Sequence, residues 1–211
     1  MLLTLRFGVQ MRIGAGVVAA LAALVLAGCS YKDVPDPALS ARDAKFMAKV
    51  PSFAVDANYE RYEVDYPSKH KRGTIIVDTK ANFVYYVLND KKAIRYGAAT
   101  GAEAYGWTGT ARVARKAEWP RWMPPPDMLK RWPHLLPTAR AGGIGGGPDS
   151  PLGARALYLY KGNRDTLYRI HGTNEPHKIG LNVSSGCIRM RNIDVVDLYN
   201  RTKLGAKVIV Q

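Results

Sequence analysis

The chain has 211 residues, of which 31 are Lys or Arg and 17 are Asp or Glu, for a formal charge of +14 at neutral pH. This length holds one ordinary domain with chain to spare, and an apolar fraction of 47% excludes wholesale disorder. A single long apolar run and two cysteines exclude a polytopic membrane protein and a disulfide-stapled scaffold, while the charge permits an anionic partner without selecting one.

Residues 13–26, IGAGVVAALAALVL, are apolar and follow Arg12. A spanning helix needs about 20 such residues. A basic residue, a short apolar run and small residues after it instead predict an export signal over residues 1–28. Met11, directly before Arg12, offers a second start. The run closes on Leu26-Ala27-Gly28-Cys29, which resembles the bacterial lipobox. That resemblance implies cleavage before Cys29 and acylation of its thiol and amine, and two or more acyl chains anchor stably where one does not. Ser30 in the next position implies sorting to the outer membrane, so the expected location is the periplasmic face of that membrane, lipid-anchored at Cys29. Export is incompatible with a pure nucleic-acid binder. It also leaves Cys187 as a lone thiol in an oxidising compartment, either buried and inert or kept for its reactivity.

Residues 29–72 are read as the lipidated Cys and a tether. Residues 30–72 carry eight basic and seven acidic side chains, with Pro35, Pro37, Pro51 and Pro67 and no strong period. Ser40 and Asp43 form a weak capping box for one short helix over 40–50. A flexible chain of this length spans on the order of 35–40 Å.

From Gly73 to Gln211 the texture is that of strands. Residues 74–79, 82–88 and 93–99 form a predicted meander, followed by strands over 108–114, 154–160 and 166–171. Asn192 is placed as the cap of a helix with Ile193, Val196 and Tyr199 on one face and Gly205 past its end; a strand over 206–210 closes the chain. This predicts a mainly β domain, a sandwich or barrel, with one or two short helices. Residues 101–153 hold nine Gly, eight Pro and all four tryptophans, Trp107, Trp119, Trp122 and Trp132. Disordered linkers are poor in aromatics, so this stretch is read as an ordered cover over a groove. The glycine run at 142–147 lacks the Lys-Ser/Thr ending of a phosphate loop and is read as a hinge.

The chemistry concentrates between His171 and Met190. A free thiol is only a few per cent thiolate at pH 7, so a nucleophilic Cys needs a base beside it. His171 ends a predicted strand and Cys187 follows a Ser-Ser-Gly turn; the 15 residues between them allow the two side chains to meet. The spacing of His171, His177 and Cys187 matches no zinc pattern.

These residues carry a resemblance. His171 to Met190, with Ser184-x-Gly186-Cys187-Ile188-Arg189-Met190, resembles the signature of the L,D-transpeptidase (YkuD-type) catalytic domain. Ile75 to Thr79, Ala98-Ala-Thr-Gly101, Trp122-Met-Pro-Pro-Pro126 and Gly146 to Arg155 resemble further segments of the family, so the likeness runs from Gly73 to Gln211. It implies a family-specific β fold and an enzyme without metal or organic cofactor. Cys187 would be the nucleophile and His171 its base, oriented by the Gly172 carbonyl. Gly186 and Cys187 N–H groups would form an oxyanion hole, and Arg189 would meet a substrate carboxylate. Ser185 stands where many members carry His, beside the substrate. The implied reaction is acyl transfer on peptidoglycan stem peptides, with release of D-alanine and transfer to an amine of another stem or of an outer-membrane protein. Water as acceptor would make a carboxypeptidase. A catalytically silent wall-binding lipoprotein is the non-enzymatic alternative. Sortases space His and Cys far more widely, and papain-like and NlpC-type peptidases place Cys first.

Overall fold

A computed structural model describes residues 31–101, 107–184 and 186–211; the export signal, Cys29 and Ser185 lie outside them. In chain order the elements are β1 (Lys32–Asp33), α1 (Ala41–Met47), β2 (Tyr62–Asp65), β3 (Ile75–Asp78), β4 (Phe83–Val87), β5 (Lys92–Gly101) and β6 (Gly109–Glu118). They continue with α2 (Pro126–Arg131), α3 (Leu136–Arg140), β7 (Arg155–Lys161), β8 (Arg164–His171), β9 (Asn182–Ser184), β10 (Ile188–Met190), α4 (Asn192–Arg201) and β11 (Lys207–Val210).

Apolar strands form where they were expected, and hydrogen bonding closes them on themselves. The order β5-β10-β8-β7-β6-β11-β3-β4 returns to β5, so eight strands make a barrel without a free edge. The β10–β8 and β11–β3 pairs are parallel and the other neighbours in this ring are antiparallel. β2 pairs with the first half of β5 and carries β1 on its outer side, while β9 pairs with the far end of β5. Val77, Val84, Tyr96, Val113, Leu157, Leu159, Ile170 and Met190 fill the interior. α4 contributes Val195, Val196 and Leu198 to the same core. The predicted apolar face of this helix shifts accordingly, because Ile193 and Tyr199 are only half-buried.

Four short α-helices occur among the described residues, where the sequence predicts one or two. The extra ones, α2 and α3, lie in the Pro-rich cover and each begins with Pro in its first turn, the position where a missing N–H costs nothing. The larger correction concerns the tether. Ser40 caps α1 by accepting the Asp43 N–H at 3.1 Å, as predicted, but residues 31–72 lie on the barrel. Asp43 is buried and accepts from Trp119 Nε1 at 2.8 Å and from Arg155 Nη1 and Nη2 at 2.8 and 2.7 Å. Arg61, also buried, reaches Asp194 of α4 at 3.2 Å and Asp36 at 2.6 Å. The balanced charge that suggested a solvated tether belongs in part to ion pairs with residues far along the chain.

The glycine run is likewise a packing feature. Trp122 and Ile144 exchange two backbone hydrogen bonds of 2.8 Å. A Cβ on Gly143 would lie 2.2 Å from the Trp122 carbonyl, and one on Gly146 would lie 1.7 Å from that of Trp119. Backbone contact, not a hinge, accounts for those glycines.

Candidate active site

Parallel pairing of β8 with β10 sets Ile170 opposite Ile188 and His171 opposite Arg189. Side chains alternate along a strand, so Ile170, Ile188 and Met190 enter the core. Arg169, His171, Cys187 and Arg189 take the other face and line one cavity of about 780 Å³. Cys187 immediately precedes β10, so a short strand separates the thiol from α4, which begins at Asn192. His171 and Cys187 thus line the same cavity, carried there by neighbouring strands. His177 instead sits on the turn at 176–178 against Phe53, with ring centroids 6.1 Å apart.

His171 is 4% exposed. Its Nδ1 lies 2.6 Å from the Gly172 carbonyl oxygen. A carbonyl only accepts, so Nδ1 carries the proton and Nε2 keeps the lone pair. Burial, then the nearby Arg189 charge, lower the imidazole pKa to about 3, with the Gly172 bond opposing and Arg169 adding to the effect. Burial pushes the Cys187 thiol up, against hydrogen bonding to the Arg169 backbone and the charges of Arg169 and Arg189. Both shifts favour the neutral forms. The thiol points to the Leu167 carbonyl at 3.8 Å, and Leu167 holds a left-handed φ of 64°.

The turn at the thiol is tied by Ser184, a buried residue that sequence reasoning passed over. Its hydroxyl donates to the Cys187 carbonyl and accepts the Gly186 N–H at 3.2 Å. The Gly186 N–H, expected in an oxyanion hole, is therefore committed to a side chain. Gly186 has φ 116°, which favours glycine.

Asn192 is not the helix cap, since Arg191 holds that position. Its side chain holds the active-site backbone instead. Oδ1 accepts from Ala154 N at 2.9 Å and Thr173 N at 3.1 Å, and Nδ2 donates to the Thr173 carbonyl at 2.9 Å. A Cβ on either Gly153 or Gly172 would lie 2.2 Å from that oxygen. The Gly172 carbonyl that orients His171 is thus held in place from α4.

Arg189 is engaged by Glu175 at 2.9 Å. Burial alone would raise the Glu175 pKa, but Lys178 and Arg189 bring it below its ordinary value. Tyr158 is clamped between two guanidinium groups, Arg115 at 3.4 Å and Arg169 at 4.4 Å from its ring centroid. Asp165 in turn holds Arg169 by two bonds of 2.7 and 2.8 Å. Five arginines line the cavity, Arg115, Arg121, Arg131, Arg169 and Arg189, against Asp127 and Glu175. The Trp-bearing stretch does form a wall, through Trp122, Met123, Pro124 to Pro126, Met128 and Trp132. Trp119 is buried under α1, and Trp107 stacks on Tyr168 at 5.7 Å.

Residues 72–210 match the YkuD family model, described as the L,D-transpeptidase catalytic domain. Over 147 residues the chain is 33% identical to the probable L,D-transpeptidase ErfK/SrfK of Escherichia coli (strain K12), covering 67% of this chain and 44% of that protein. Over 106 residues it is 38% identical to the probable L,D-transpeptidase YbiS of the same organism, covering 47% and 30%. The chain spans about half the length of these relatives, or less. A solved structure from Brucella melitensis, described as a probable carnitine operon oxidoreductase, is 44% identical with a TM-score of 0.51, covering 74% of this chain and 96% of that one.

Proposed function

Because the chain belongs to the L,D-transpeptidase catalytic-domain family, we propose that it is a cysteine acyltransferase acting on peptidoglycan stem peptides, with Cys187 as nucleophile and His171 as base. The observation that carries this reading is the Nδ1–H of His171 donated to Gly172 at 2.6 Å, which leaves Nε2 as the acceptor in the cavity that Cys187 lines. Burial of both groups favours the neutral thiol and imidazole, so in this reading the proton leaves sulfur as attack begins.

His171 Nε2 takes the Cys187 proton while sulfur bonds to the carbonyl carbon of the third stem residue. The Cys187 N–H faces the oxygen on which charge develops, and Gly186, its own N–H bonded to Ser184, shapes the turn. The C–N bond to D-alanine breaks as the imidazolium returns the proton to the leaving amine. An incoming amine then attacks the thioester, His171 removes its proton, and Cys187 is released as thiol. Five arginines around the cavity suit a substrate bearing carboxylates, and such a group would compete with Glu175 for Arg189. In the same proposal the enzyme is exported and held at the periplasmic face of the outer membrane by lipid on Cys29, a reading supported by the sequence Leu26-Ala27-Gly28-Cys29.

Incubation with a disaccharide-tetrapeptide should give a thioester on the intact protein and release D-alanine. Cys187→Ala should lower turnover by more than about 10³-fold without unfolding the protein. Dimers among the products identify a stem amine as acceptor, tripeptides identify water, and continued turnover by Cys187→Ala overturns the assignment.

A further inference from the structure

A second cavity, of about 610 Å³, opens where the chain enters β3 and β11. Its lining includes Lys69, His70, Lys71, Arg72, Lys203 and Lys207, and no carboxylate. Arg201 also borders it but is neutralised by Asp197 through bonds of 2.8 and 3.0 Å. Lys69, Lys71, Arg72, Lys203 and Lys207 are exposed and, among the described residues, make no salt bridge. Five uncompensated cations around one concavity raise the local potential and favour anions there. Beside Lys203, Leu204 is 64% exposed on a turn that Gly205 makes with φ 83°. A lone apolar side chain among cations suits an interface with lipid, where the cations meet headgroups and the apolar tip enters the boundary.

The course of the chain points the same way. β1 runs antiparallel to β2, with Lys32 opposite Glu63 and Asp33 opposite Tyr62. Whatever precedes Tyr31 therefore leaves β1 at the end where β2 runs on to Lys69. Cys29 is two residues before Tyr31, at most about 7 Å of chain. β5 gives the scale. Lys92 lies opposite Asp65 at this end. Gly101, nine residues further on, packs against Gly186, where a Cβ would lie 2.9 Å from the Gly186 Cα. Nine residues of strand extend about 30 Å.

We propose that this end of the barrel lies flat on anionic phospholipid headgroups through Lys69, Lys71, Arg72, Lys203 and Lys207, with Leu204 at the boundary and Cys187 raised off the lipid by the length of β5, about 20–25 Å once the barrel's strand tilt of about 35–45° is allowed for. The orientation rests on the Cys29 anchor proposed above.

The test is lysine acetylation footprinting by mass spectrometry on the lipidated mature protein, carried on vesicles of pure phosphatidylcholine or of phosphatidylcholine with 30% phosphatidylglycerol. On the anionic vesicles, labelling of Lys69, Lys71, Lys203 and Lys207 should fall about fivefold or more, while Lys130 and Lys161 label as before, and high salt should restore the labelling. The triple variant Lys69→Glu, Lys71→Glu, Lys203→Glu should lose the protection of Lys207 and keep full turnover. Protein bound to both vesicles but labelled equally on them overturns the docking and leaves the anchor standing. Protein that binds neither overturns the anchor and the docking together. Protection on neutral vesicles by added inorganic phosphate or by isolated sacculi assigns the cavity to a small anion or to the wall, and also overturns it. Turnover of the stem peptide is read separately, so loss of the transpeptidase reading is not confused with either outcome.

Discussion

At the scale of single residues, the imidazole of His171 is oriented by a backbone carbonyl, and that carbonyl is held by an amide. Asn192 closes three hydrogen bonds, one to Ala154 just before β7 and two to Thr173, the residue after Gly172. Replacing it by Ala leaves buried N–H groups without partners, at about 1–3 kcal/mol each, and frees the Gly172 carbonyl to turn. Asn192→Ala should therefore lower kcat by tenfold or more with little change in KM. Asn192→Asp, which keeps both acceptor bonds and loses one donor, should recover part of the activity; equal loss in both variants would argue against a positioning role. The thiol gives a second prediction. Burial raises the Cys187 pKa, so its alkylation by iodoacetamide at pH 7 should be slower than that of glutathione. The rate should still be climbing above pH 8.5, near the free-thiol value of about 8.5. A plateau reached by pH 6 would instead reveal a thiolate–imidazolium pair.

At the scale of elements, α1 is a brace. Its Asp43 carboxylate meets Arg155 at the start of β7 and Trp119 directly after β6. Hydrogen bonding to Arg155, helped by Trp119 and Ser40 and opposed by burial, holds that carboxyl far below the usual range. Asp43→Ala leaves Arg155 buried without its counter-charge and should cost about 3–5 kcal/mol, read by denaturant melts. The sign with pH follows from the lowered value. The unfolded carboxyl titrates near 3.9, so this stabilisation is complete above about pH 4 and is lost as the pH falls toward the folded pKa. The gap between wild type and variant should narrow on acidification; a constant gap would show that packing, not charge, is what the substitution removes. The sequence made α1 visible through Ser40 and Asp43, but not what it serves, because Arg155 lies 112 residues away. β3, β4, β5, β7, β8 and β11 were legible from their apolar character. β1, β9 and β10 were not, having only two or three residues each and no period to show.

At the scale of the whole molecule, part of the charge excess is concentrated in two regions. One is the arginine-lined cavity of Cys187, partly balanced by Glu175 and Asp127, and the other is the lysine-rich end beside β3 and β11. Composition carries only the total and not its placement. That His171 and Cys187 share a cavity was readable, because the two residue types and their place in the motif survive in one dimension. Asn192, Ser184 and Glu175 were not, since their roles depend on which backbone atoms the barrel brings to them. Asn192 in particular has the sequence look of a cap, and only its burial against Gly153 and Gly172 shows otherwise.

The parallel pairing of β8 with β10 has one more consequence. Strand neighbours in a sheet lie about 4.8 Å apart whatever joins them, so the spacing of His171 from β10, which Cys187 immediately precedes, belongs to the ladder and not to residues 172–186. Within the stretch from Asn174 to Leu181, which pairs with neither strand, Glu175 is bonded to Arg189 and Gly180 to Ala98 of β5, so the turn over 176–178 is the part free to diversify. It can lengthen, shorten or exchange its side chains around the cavity mouth while His171 and Arg189 stay in register. If the proposed acyl transfer holds, selection for a new acceptor can act on that segment without first rebuilding the strands that carry His171 and Cys187, and so can a library that randomises it.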